Sequence, residues 1–243
     1  MNENVIIGRN PVLEALKVGR SIDKIYIRQG APDPTLGKIA AMAKRAGILV
    51  TEADKPRLDL LAGGGNHQGV VAQASLYGYV TVEEMLEKAR QMGEAPFIIL
   101  CDRICDPHNL GAIIRSASAA GAHGVVISKH DGVGVNATVD KVSAGAASFM
   151  PVARVTSLPK VMDDLKKEGI WITGADGGGD TSLFAADLTG PVAIVIGNEG
   201  EGMSRLVREK CDFLVKIPMR GQTESLNASV AAALFMFEVA RKR

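Results

Sequence analysis

Short apolar runs, each bounded by glycine, proline or a polar cluster, recur along the whole chain, and stretches with apolar residues at helical spacing separate them. Near the N-terminus Val5-Ile6-Ile7 reads as a strand. Gly8-Arg9-Asn10-Pro11 then turns into a helix whose apolar side is Val12, Leu13, Ala15 and Leu16. Lys24-Ile25-Tyr26-Ile27 predicts a second strand, residues 36–46 a second helix stopped at Gly47, and Ile48-Leu49-Val50 a return to the sheet. A run at residues 57–61, the break Gly63-Gly64-Gly65, and the strand Val70-Val71-Ala72 after His67-Gln68-Gly69 complete a small α/β unit over residues 1–75. Residues 76–94, with an acidic helical segment around Glu83, Glu84 and Glu87, read as a linker.

Over residues 95–243 the strands become continuous apolar runs, the mark of strands buried on both faces. They fall at Phe97-Ile98-Ile99-Leu100, Val125-Val126-Ile127, Ile170-Trp171-Ile172-Thr173, Val192-Ala193-Ile194-Val195-Ile196 and Phe213-Leu214-Val215-Lys216-Ile217. Amphipathic helices are expected at residues 110–120, 158–167, 204–209 and 226–241. This alternation predicts an α/β fold with a mostly parallel sheet covered on both sides. Ligands of such sheets sit beyond the carboxyl ends of the strands, where the polar loops after Leu100, Ile196 and Ile217 lie.

Composition narrows the class without naming it. The chain has 243 residues, a net charge of +1 and 47% hydrophobic residues, enough for a substantial core. No apolar run approaches the roughly 18 residues that span a bilayer, and the first residues lack the pattern of a secretory leader, so a cytoplasmic location with no membrane partner is expected. Cys101, Cys105 and Cys211 form no disulfide framework, and the C-x3-C pair has no second pair at zinc spacing, so no metal is expected. Residues 1–75 carry an excess of three basic over acidic side chains, which a solvated surface explains as well as a nucleic-acid footprint.

Candidate chemistry concentrates in the three loops. The first, residues 102–115, offers Asn109 as a cap for the following helix and Arg115, whose planar fork suits phosphate. The second, Gly197-Asn198-Glu199-Gly200-Glu201-Gly202, permits close backbone approach and adds the acceptor Glu199. Its glycine order matches neither the dinucleotide fingerprint nor a Walker loop. The third, residues 217–229, delivers Ser225 and Asn227 to the mouth of an alanine-rich helix, where free N–H groups suit a polar ligand. Beyond it Leu226, Val230, Leu234 and Phe237 recur at near-helical spacing, as in core or a subunit interface.

Taken together, the loops resemble the three motifs of the SpoU branch of the SPOUT RNA methyltransferases. The matching residues are Asn109-Leu110-Gly111 with Arg115 and Ala120-Gly121; Ile196-Gly197-Asn198-Glu199-Gly200 with Gly202; and Ile217-Pro218-Met219 with Gly221, Ser225-Leu226-Asn227 and Ser229. Lys141-Val142-Ser143-Ala144-Gly145-Ala146 is also similar to that family. Gly8-Arg9-Asn10-Pro11-Val12 and His67-Gln68-Gly69-Val70 resemble the small ribosomal-protein-like RNA-binding domain that precedes the catalytic domain in the RlmB and TrmH group.

The resemblance implies an RNA substrate-binding domain at 1–75 and a trefoil-knotted methyltransferase domain at 95–243. It implies S-adenosylmethionine as cofactor, held at Gly197, Ile217, Met219 and Leu226, and a homodimer in which Arg115 serves the neighbour's pocket. The implied reaction is methyl transfer to a ribose 2′-hydroxyl, with Asn109, Arg115, Glu199, Ser225 and Asn227 as catalytic residues. A guanosine of 23S rRNA is the implied target, a tRNA ribose the alternative, and a non-catalytic RNA-binding or ribosome-assembly factor the reading from another class. One departure is the segment Lys129-His130-Asp131-Gly132-Val133-Gly134-Val135-Asn136, where many relatives carry an arginine-bearing loop.

Overall fold

The computed structural model describes residues 4–243 except 19, 21, 31, 32, 47, 75, 76 and 224. The helix stop expected at Gly47 and the domain boundary expected at 75/76 lie outside the described residues. The chain divides into two compact units, Met1–Gly78 and Tyr79–Arg243.

The first unit runs β1 (Val5–Ile7), α1 (Arg9–Lys17), β2 (Ile22–Arg28), α2 (Pro34–Arg45), β3 (Leu49–Ala53), α3 (Lys55–Ala62) and β4 (Val70–Ala74). Its sheet has the order β1-β4-β2-β3, with β4 antiparallel to β1 and β2, and β2 parallel to β3. Side chains alternate across a strand. Ile25, Ile27, Val70 and Ala72 therefore join Val12 and Ile39 in one cluster, while Tyr26 and Val71 meet Leu58 in another. The two stretches that carry the resemblance in this unit come together. The Arg9 Nε donates to the Gln68 carbonyl at 2.9 Å, and its guanidinium pairs with Asp33 at 2.7 Å.

The second unit continues with α4 (Val82–Met92), β5 (Phe97–Cys101), α5 (Pro107–Ala119), β6 (Gly124–Ser128), α6 (Ala137–Val142), β7 (Val152–Val155) and α7 (Leu158–Lys167). It is completed by β8 (Trp171–Ala175), β9 (Thr181–Ser182), β10 (Val192–Ile196), α8 (Arg205–Glu209), β11 (Phe213–Lys216) and α9 (Ala228–Lys242). The sheet order is β7-β6-β5-β10-β8-β11-β9 and every pairing is parallel. β5 and β10 lie side by side at its centre with every residue buried, as their apolar runs require.

The segment expected as a linker is largely helix. Thr81 and Glu84 close a reciprocal cap, with Thr81 N–H to Glu84 Oε2 at 2.6 Å and Glu84 N–H to Thr81 Oγ1 at 3.2 Å. Met85 and Leu86 of α4 are then buried in the same cluster as Ile98, Leu100 and Val126. The acidic face of α4 hid this apolar side in the sequence. Trp171, read as part of a buried strand, is 56% exposed at the start of β8.

Candidate functional site

Three of the loops that leave the carboxyl ends of the parallel strands converge. β5 ends at Cys101, and Asp102 accepts the Ser204 N–H at 2.5 Å, tying loop one to the far side of loop two. Asn198 adds a second tie, donating from Nδ2 to the Arg103 carbonyl at 3.2 Å. The Arg103 guanidinium adds a third, 2.7 Å from Glu201. Loop two folds on itself through paired backbone bonds between Asn198 and Gly202 at 2.9 and 3.1 Å. Its first glycine is demanded by that fold: a β carbon at Gly197 would stand 2.3 Å from the Met203 nitrogen. The close approach expected of this glycine is thus first an approach to its own loop.

Asn109 is not the helix cap. Asp106 caps α5, accepting the His108 N–H at 2.9 Å, and Pro107 takes the first helical position, where a missing N–H costs nothing. Asn109 sits in the first turn, 6% exposed, with its amide free to work sideways. Its Nδ2 donates to Glu199 Oε1 of loop two, and its Oδ1 accepts from Asn227 Nδ2 of loop three at 2.9 Å. Asn227 is the cap of α9, its Oδ1 accepting the Ser229 and Val230 N–H groups at 2.9 and 3.3 Å. One hydrogen-bonded chain, Glu199–Asn109–Asn227, therefore passes through all three loops and ends on a helix N-terminus.

Beside this chain lies a cavity of about 640 Å³. Gly197, Ile217, Met219 and Leu226 line it, as do Glu199 and Ser225. Among the described residues, the backbone N–H groups of Met219, Ser225 and Leu226 donate to no protein acceptor. The cavity is thus apolar along Val215, Ile217 and Leu226 and supplied with unspent donors at its loop edge, a common make-up for a small-molecule site. Asn109 and Asn227 stand next to it without lining it. Arg115 is exposed and also outside the lining, because six positions at about 100° each carry it to a different side of α5 from Asn109.

The sequence reading missed the segment Ala175-Asp176-Gly177, which forms another part of the cavity wall. A signal was present: β8 ends there and a glycine run follows, as at the other loops. The cysteines stand apart. Burial pushes the Cys101 thiol up to about 12, while Cys105 is exposed. Among the described residues no cluster of three potential metal ligands occurs.

Residues 96–237 match the SpoU rRNA methylase family, and residues 5–80 match the substrate-binding domain of RNA 2′-O-ribose methyltransferases. A Bacillus subtilis protein, YacO, named for the TrmH family of tRNA/rRNA methyltransferases, is 44% identical over 98% of this chain and 95% of its own length. The crystal structure of the SpoU methyltransferase AviRb from Streptomyces viridochromogenes with AdoMet aligns with a TM-score of 0.62 at 27% identity, covering 98% of this chain and 89% of that one. An AdoMet-bound rRNA methyltransferase from Sinorhizobium meliloti aligns with a TM-score of 0.60 at 25% identity, over 98% and 86%.

Proposed function

Because the chain belongs to the SpoU family of RNA 2′-O-ribose methyltransferases, we propose that the cavity beside its three converging loops holds S-adenosylmethionine and that Asn109, Glu199 and Asn227 set the acceptor ribose beside it. The observation that carries this reading is the side-chain chain Glu199–Asn109–Asn227, which locks the three loops together at the cavity edge. The residues fit the cofactor. Ile217, Met219 and Leu226 offer apolar surface for a base, and the free N–H groups of Met219, Ser225 and Leu226 offer donors for its polar ends. When bound, S-adenosylmethionine supplies a methyl group already activated by a sulfonium, so the protein's task is alignment and removal of the hydroxyl proton.

Glu199 keeps one carboxylate oxygen unspent on the protein and accepts from the ribose edge; Ser225 holds the same side of the cavity. A neutral arginine is too costly to serve as a base. Arg115 instead grips a phosphate of the RNA, and that phosphate helps take the hydroxyl proton.

Since Arg115 does not line its own chain's cavity, it serves the pocket of a second copy. The exposed face of α9 supports a homodimer: Val230, Leu234 and Phe237 are 48%, 40% and 52% exposed there. The first unit, over the expected 1–75, binds the RNA substrate, and 95–243 carries catalysis. Threading of the C-terminal segment through a loop belongs to this reading. The close backbone approach of Gly179 to Leu214, 35 positions further along the chain, is compatible with it.

The target is a guanosine of 23S rRNA, modified in the cytoplasm; a tRNA ribose is the alternative, and the name of YacO covers both RNA classes. Mapping ribose methylation across rRNA and tRNA in cells with and without the protein tests this. One 23S guanosine mark lost on deletion is expected, and loss of a tRNA mark alone would move the target to the alternative.

A further inference from the structure

One wall of the cavity comes from a segment that none of the three motif loops supplies. β8 ends at Ala175, and Asp176 and Gly177 follow it along the cavity. Asp176 is fixed from four directions. Its N–H donates to the Val215 carbonyl at 3.0 Å, and its own carbonyl accepts the Gly179 N–H at 3.0 Å. Its Oδ1 accepts the Gly178 N–H at 2.8 Å, and its Oδ2 accepts from Arg208 Nε at 2.7 Å. The turn is pressed against β11, since a β carbon at Gly179 would lie 2.5 Å from the Leu214 carbonyl oxygen.

Arg208, on α8, does not line the cavity; it holds the carboxylate from outside, and Asp176 in turn keeps the Arg208 pKa above its ordinary value. A carboxylate has about four lone-pair positions. Gly178 and Arg208 occupy one on each oxygen, which leaves acceptor capacity on a rigidly held anion at the cavity wall. An isolated surface ion pair needs no such orientation by backbone.

We infer that Asp176, positioned by Arg208, is a cofactor-binding residue that accepts hydrogen bonds from a donor-bearing part of the methyl donor. Two parts of S-adenosylmethionine share that chemistry, the ribose hydroxyls and the α-ammonium group. The inference rests on the cavity being the seat of S-adenosylmethionine.

Calorimetric titration of the full chain separates the possibilities, with S-adenosylmethionine and 5′-methylthioadenosine as ligands. The second keeps the ribose hydroxyls and lacks the ammonium. Asp176→Asn retains an acceptor for Gly178 and removes the charge. It should weaken S-adenosylmethionine about tenfold or more without changing the ligand-free melting temperature. Arg208→Ala should weaken it less, in the same direction. An equal loss with 5′-methylthioadenosine assigns the hydroxyls, and an unchanged affinity for it assigns the ammonium. Binding of S-adenosylmethionine within about twofold of the parent by both Asp176→Asn and Asp176→Ala would overturn the inference. So would weakened binding accompanied by a lowered ligand-free melting temperature in both variants, which would assign Asp176 to the integrity of the wall. A parent protein that takes up no S-adenosylmethionine would break the reading of the cavity itself.

Discussion

The two ends of the seven-stranded sheet are made from the same parallel strands but treat their polar groups in opposite ways. At the amino ends side chains close over backbone groups. The Arg243 guanidinium donates to the carbonyls of Ala95, Pro96 and Gly190 at 2.8, 3.0 and 3.2 Å and lies 5.1 Å from the centre of the Phe97 ring. Buried His123 accepts the Phe97 N–H on Nδ1 at 3.0 Å, so its neutral ring carries the proton on Nε2, 3.3 Å from Glu94. At the carboxyl ends side chains tie loop to loop while backbone donors stay unspent around a cavity. Unpaired polar groups are costly where nothing meets them. The backbone donors left unspent at the carboxyl ends suit ligand binding there, while the pairings at the amino ends serve stability.

If this division of labour holds, substitutions at the two ends should fail in different ways. The largest effect is expected at Arg115: Arg115→Ala should lower turnover about 10³-fold while leaving S-adenosylmethionine affinity nearly unchanged. Parallel kinetics and calorimetry check this, and loss of cofactor affinity would remove Arg115 from the RNA side of the reaction. Asn109→Ala uncouples the three loops and should cost about a hundredfold in kcat, with about 1–2 kcal/mol of stability from the orphaned partners. Single-turnover assays together with urea unfolding would separate the two costs.

At the amino ends the signs reverse. Arg243→Ala should lower stability by about 1 kcal/mol and leave the kcat of the folded fraction unchanged, as measured by urea unfolding and by activity at low temperature. The smallest effect is a pH dependence. Burial lowers the His123 pKa below 6.5 in the folded chain, so the unfolded chain takes up the proton first as pH falls. The His123 contribution to stability is complete above the unfolded value of about 6.5, declines as pH drops below it, and levels off beneath the folded-state value. Unfolding curves at about pH 7.5 and 5.5 should show the loss in the parent and a flatter response in His123→Gln.

Sequence patterning revealed the elements that are long or buried on both faces. β5 and β10 are uninterrupted apolar runs, so their position in a covered parallel sheet followed directly. β7, read Val-Ala-Arg-Val, sits at the sheet edge, and β9 is two residues long. Neither carries enough pattern to stand out, and the short α6 was missed for the same reason. At the site, side-chain types in each loop were legible, including the placing of Asn227 at the mouth of α9, but not its role as the cap. The partnership of Asn109 with both Glu199 and Asn227 was not, because these residues are 90 and 118 positions apart and only the strand order brings them together. Asp106 looked no different from other loop aspartates, so the cap was assigned three residues too late, to Asn109.

The central claim is that the carboxyl-end cavity serves methyl transfer to a ribose 2′-oxygen. It is tested most directly by incubating the purified protein with unmodified 23S rRNA and methyl-labelled S-adenosylmethionine, then hydrolysing the RNA in alkali. Cleavage requires a free 2′-hydroxyl, so the label should appear in alkali-resistant dinucleotides. Label released as mononucleotides, the signature of a methylated base, would contradict the account.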